Sequence, residues 1–121
     1  MKKIENTFTV SGFVGKDAQV REFENASVVR FSVAVCRGEK DKDGKTQYTS
    51  AFISIEAWRK NDNTKEIDLL KKGTLVTVEG YFKPEEWEET NQETGEVTKR
   101  SRVVFAATKI YEPEEVEDKK D

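Results

Sequence analysis

YTSAFISIEAWRKNDNTKEIDLLKKGTLVTVEGYF, Tyr48 to Phe82, is the stretch whose reading decides the fold. Apolar residues alternate with period two as far as Trp58 and resume that alternation from Leu75. Period two marks a half-buried strand, because successive side chains leave opposite faces of the backbone. The first run puts Ala51, Ile53, Ile55 and Ala57 on an aliphatic core face, and Tyr48, Ser50, Phe52, Ser54, Glu56 and Trp58 on the other. Burial does not require three aromatics among small polar residues, so the second face suits the stacking of something flat. Only a short helix fits within Asn61–Lys72, with Ile67, Leu69 and Leu70 apolar, Lys71-Lys72 in the last turn and Gly73 as the stop. The second run, Leu75 to Phe82, directs Val76, Val78, Gly80 and Phe82 inward and Thr77, Glu79 and Tyr81 outward.

The flanking sequence supplies the remaining strands. Residues 1 to 7 read as a frayed lead-in. Phe8 to Val14 alternates, with Gly12 and Gly15 placed where a strand bends or meets another backbone. Gln19 to Phe23 is a short strand, and Val28 to Cys36 a clear one with Val29, Phe31, Val33 and Val35 on one face. Arg37 to Gln47 reads as a charged loop centred on Asp43-Gly44, a strong hairpin signal. A second turn at Asn91–Glu96 precedes a final strand, Val97 to Tyr111. Five or six strands, one short helix and antiparallel hairpins close most naturally as a small β-barrel. Residues 112–121 are too polar to order themselves and read as a disordered acidic tail.

Composition narrows the function. A chain of 121 residues suits one domain. No apolar run is long enough to span a membrane, and MKKIENTFTV lacks a signal-peptide core, so a cytoplasmic location is expected. A single cysteine, Cys36, fits a reducing compartment, and the absence of histidine removes the commonest general base and metal ligand. No cofactor, metal or catalytic site is expected. Glu56 and Glu79 read as solvated strand residues, and Cys36 as a small strand residue. The net charge of −3 conceals a segregation. Residues 84–96 hold six acids and no base, and the last ten hold six acids and two lysines. The rest has 19 basic and 12 acidic residues, a surplus of seven that suits a polyanionic partner.

In this order the chain resembles the bacterial single-stranded DNA-binding protein family. The matching pieces are Gly12-Phe13-Val14-Gly15-Lys16-Asp17, the Val28–Val35 strand and the loop Lys40-Asp41-Lys42-Asp43-Gly44. Leu70-Lys71-Lys72-Gly73, Val76-Thr77-Val78-Glu79-Gly80 and Trp87 complete them. The resemblance covers about Thr7 to Ile110. It implies an all-β OB-fold, a five-stranded antiparallel Greek-key barrel with one short helix and long hairpin loops. It also implies sequence-tolerant binding of single-stranded DNA, no catalysis and a homo-oligomer, a tetramer rather than a dimer, with replication or repair proteins as further partners.

The departures mark a divergent member. The family's Thr-Glu-Trp-His-Arg falls on Tyr48-Thr49-Ser50-Ala51-Phe52, placing Ser50 and Ala51 at the stacking Trp and the assembly His. A second family aromatic falls on Glu56, and Lys83-Pro84-Glu85-Glu86-Trp87 replaces a basic run. The tail ends Asp118-Lys119-Lys120-Asp121 rather than in Pro-Phe. Phe52 and Trp58 are therefore expected to take over stacking, with Trp87, Tyr48 and Tyr81 as further rings, since any base offers a π-face. Arg21, Arg30, Arg37, Lys60, Lys83, Lys99 and Arg100 are the expected phosphate contacts, with Arg102 beside them. The competing reading is an OB-fold protein–protein module of replication or conjugation, suggested by the acids around Trp87.

Overall fold

The computed structural model describes residues 1–61 and 65–115. Its strands are β1 (Phe8–Val14), β2 (Gln19–Glu22), β3 (Ala26–Lys40), β4 (Thr46–Lys60), β5 (Leu75–Thr90) and β6 (Val97–Tyr111). β1 pairs antiparallel with β5, β5 with β6, and β4 with β3, while β3 returns to β1 at Phe13↔Ala34 and Val14↔Val33. The ring is completed by β4 and β6, which run parallel at Ile55↔Phe105 and Glu56↔Ala106. This is the five-stranded OB barrel that the resemblance implied, except that one of its seams is parallel. β2 lies outside the ring, paired with β3 alone.

The alternation read from the sequence fills the barrel. Val14, Val29, Phe31, Val33, Ile55, Ala57, Val76 and Val78 form its core, closed by Leu70, Ala107 and Ile110. The core face of β4 is shorter than expected, however. Ile53 is half-buried and Ala51 exposed, because β4 has by then left the ring and pairs with β3 alone. Phe82, expected inside, lies at the barrel mouth against Phe8 and Phe105. Thr77, expected outside, is buried, and its hydroxyl shares a 2.7 Å hydrogen bond with Ser11.

The two long hairpins are largely strand rather than loop. β3 and β4 stay in one-to-one register out to Lys40↔Thr46, so the expected charged loop shrinks to a turn around Asp43-Gly44. Gly44 takes φ +79° there, and the Asp41 carboxylate accepts the amides of Asp43 and Lys45. Those amides, Lys45 first, hold the Asp41 carboxyl below the usual carboxylate range. β5 likewise runs past Phe82 to Thr90, putting Trp87 on a strand. Pro84 is tolerated because β1 ends its pairing with β5 at Phe8↔Gly80, leaving a free edge beyond. β4 and β6 are parallel, so both arms leave the barrel in the same direction.

Between the strands, Lys65–Leu69 is a 3₁₀ helix, and Lys71-Lys72 follow it in a separate turn that ends at Gly73 (φ +87°). The Lys72 amide donates to Asp17 and the Gly73 amide to the Val14 carbonyl, which fixes this turn against the barrel base. Arg59 anchors the same region. Its guanidinium pairs with Glu66 at 2.7 Å and reaches the carbonyls of Ala107 and Thr108, while Glu66 accepts the Ile110 amide. At the other end Asn6, expected to fray, exchanges two hydrogen bonds with the Phe82 backbone. Residues 116–121 of the acidic end lie outside the described residues. No helix among the described residues is long and apolar enough to cross a membrane.

Candidate nucleic-acid interface

Residues opposite one another on paired strands share a face, so the register assembles the outer surface of the barrel directly. One row crosses all the strands but β1: Gln19, Arg30, Glu56, Ala106 and Tyr81, on β2, β3, β4, β6 and β5. To one side lie Arg21, Val28 and Trp58, with Lys60 beyond them opposite Ala26. To the other lie Phe13, Ala34 and Phe52, with Tyr48 further out opposite Gly38. The β5–β6 arm continues this face with Lys83↔Val104, Glu85↔Arg102 and Trp87↔Arg100. Where β4 and β6 diverge, a groove of about 540 Å³ opens, lined by Lys16, Gln19, Arg30, Ser32, Ser54, Glu56, Arg102 and Val104.

The rings border this groove. Phe52 is 67% exposed, its ring set close against Gly15. Trp58 is 48% exposed and stacked on Phe23, with centroids 5.6 Å apart and planes 27° apart. Trp87 is 40% exposed, with the Arg102 guanidinium 5.5 Å from its ring centre. Glu56 is not the solvated residue expected from sequence. It is 9% exposed, accepting the Trp58 indole N–H at 2.9 Å and Arg30 Nε at 3.4 Å. One carboxylate thus orients a ring and a guanidinium over the same groove. Position 56 holds an acceptor at the edge of a ring, whereas Ser50 lies out on the arm opposite Cys36.

Two expected cations fall elsewhere. Arg37 is on the opposite face of its arm from Phe52, beside Glu39 at 3.2 Å. Lys99 is opposite Glu88, on the other face from Trp87. Alternation alone separates each from the rings. Phe13 and Phe23 were missed, although the exposed-face position of Phe13 was already legible in the alternation of β1. Lys16 was missed too, because it lies in the turn between β1 and β2.

The segregation of charge is also reduced in three dimensions. Glu85 pairs with Arg102 at 2.8 Å and Lys83 at 3.6 Å, and Glu89 with Arg100 at 3.2 Å. The hydrogen bond from Arg102 holds the Glu85 carboxyl below its usual range. Trp87 also donates its indole N–H to Glu89. Half of the four acids flanking Trp87 therefore neutralise cations of the same arm.

A family model described as the single-strand binding protein family matches residues 5–110. The chain belongs to that family. Among its relatives is the single-stranded DNA-binding protein 1 of Synechocystis, 34% identical over 92 residues, 74% of this chain and 70% of that protein. The single-stranded DNA-binding protein of Thermosynechococcus vestitus is 33% identical over 87 residues, 71% and 67% of the two chains. Solved structures agree on the fold. The Plasmodium falciparum SSB complex with ssDNA superposes with a TM-score of 0.63 at 21% identity, over 91% of this chain and 94% of that one. The single-stranded DNA binding protein from Thermus aquaticus gives 0.69 at 21% identity, over 91% and 50%.

Proposed function

We propose that this member of the family binds single-stranded DNA without sequence preference and protects it during replication, recombination or repair. The observation that carries this reading is the single outer face on which Phe52, Trp58 and Trp87 stand exposed with Arg30, Arg100 and Arg102 between them. Stacking supplies affinity that does not depend on base identity, and the cations follow the backbone. Residues 1–111 are the binding domain, followed by the acidic stretch 112–121. The working form is a cytoplasmic homo-oligomer, a tetramer in preference to a dimer, with replication or repair proteins as further partners. A protein-docking role for Glu85 and Glu89 is disfavoured, because both are engaged by arginines of their own arm.

Fluorescence titration with oligo-dT tests the proposal. Trp58 and Trp87 are expected to be quenched, with log affinity falling against log salt at about 0.7 for each phosphate contacted. Absence of both quenching and gel retardation at low salt refutes it. The arm carboxylates should weaken this binding by competing for its arginines. E85Q/E89Q is expected to tighten oligo-dT binding on the order of fivefold at low salt, as exposed ion pairs compete only modestly. E86Q/E88Q, on the other face, changes the net charge equally and is expected to do less.

A further inference from the structure

The Trp58 side of the face continues beyond the groove onto β2. Gln19 lines the groove, and Arg21, two residues on, shares its face of the strand. Arg21 places its guanidinium 5.2 Å from the ring centre of Phe23, the ring already stacked on Trp58. Trp58, Phe23 and Arg21 thus form three flat groups in succession, running from the groove to the sheet edge. Phe23 is still 44% exposed with both neighbours against it.

Its position is held by the backbone. The Phe23 amide donates to the Ala26 carbonyl at 2.8 Å, and the Asn61 side-chain amide donates to the Phe23 carbonyl at 2.9 Å. Asn61 in turn accepts the Ser27 hydroxyl. An exposed aromatic just past the end of an edge strand wins little from burial, and its fixed backbone keeps its ring beside Trp58.

We propose that Phe23 and Arg21 form a nucleobase subsite in which the Arg21 guanidinium leaves the Phe23 ring to meet a phosphate and one base takes its place on that face. This rests on the single-stranded DNA reading and extends the strand's path from Trp58 round the β2 edge. The ligand is any base of a single strand, because a ring face without hydrogen-bonding groups does not discriminate among them.

The variant F23L keeps an apolar side chain against Trp58 but removes the π-face. Its binding to oligo-dT is compared with binding to an abasic oligodeoxynucleotide of equal length, which carries the same phosphates. F23L is expected to weaken oligo-dT binding on the order of tenfold, the loss of one stacked base, and to leave the abasic strand unchanged. F23W is expected to restore the affinity. R21Q is expected to reduce the salt slope by about 0.7, the share of one phosphate, for both strands. The subsite is overturned if F23L binds oligo-dT like the native chain, or if it weakens both strands equally, since that marks mere support of Trp58. Failure of the native chain to bind oligo-dT overturns the underlying reading instead.

Discussion

Replacing Phe52 and Trp58 together by alanine is expected to weaken oligo-dT binding roughly a hundredfold, about 3 kcal/mol, at the value of two stacked bases. The two rings stand at opposite sides of the groove, flanking the row that carries Arg30 and Glu56. Neither belongs to the buried core, so the barrel should fold without them. The slope of affinity against salt separates this loss from an electrostatic one. The proposed phosphate contacts, Arg30, Arg100 and Arg102, are kept in the variant, so the slope should stay near the native value while affinity falls at every salt concentration. A double variant within threefold of native affinity would remove these rings from the binding face. Trp58 has a second part in the arrangement, because its indole N–H satisfies Glu56. W58F is therefore expected to retain most of the stacking and to lose the tether that fixes the ring.

Sequence periodicity reached the barrel because its period is a direct consequence of which face is wet. It located Val29, Phe31, Val33, Ile55, Val76 and Val78 correctly, and with them the outward positions of Phe52, Trp58 and Tyr81. It failed where pairing rather than burial sustains a strand. Gly38 to Lys40 and Glu85 to Thr90 carry no apolar alternation, yet both stay in register with a partner strand. It also failed where charge is resolved by a partner distant in sequence. Glu56 reads as solvated until Arg30 and the Trp58 indole are set beside it. Glu85 and Glu89 read as an acidic patch until the hairpin register brings Arg102 and Arg100 across from them. The face itself was therefore legible, whereas its electrostatics depended on strand pairing that periodicity does not specify. For Arg37 and Lys99 the same alternation gives the opposite outcome, placing each on the other face of its arm from the rings.

The second large effect concerns the seam that holds this face together. Gly80→Ala is expected to destabilise the chain by about 3 kcal/mol or more, in the range reserved for strain inside a packed structure. Gly80 sits beside the bulge that leaves Thr108 of β6 unpaired, and β5 is sandwiched there between Phe8 of β1 and Ala107 of β6. A Cβ there would press into the Ala106 carbonyl group and the Phe8 ring. A carbonyl engaged in a sheet cannot rotate away as a flexible side chain can, so β5 and β6 would have to separate. Gly44→Ala supplies the contrast. It carries only the cost of a positive φ, which Gly80 does not have, with nothing within 4 Å of the added carbon, and should lose about 1 kcal/mol. Equal denaturation midpoints for the two variants would refute the tight seam. Separation of β5 from β6 also carries a functional consequence, because Ala106 is the residue that sets Glu56 and Tyr81 in one row. Oligo-dT affinity measured on the fraction of Gly80→Ala that remains folded should therefore fall as well, whereas Gly44→Ala, at the tip of the other arm, should bind as the native chain does.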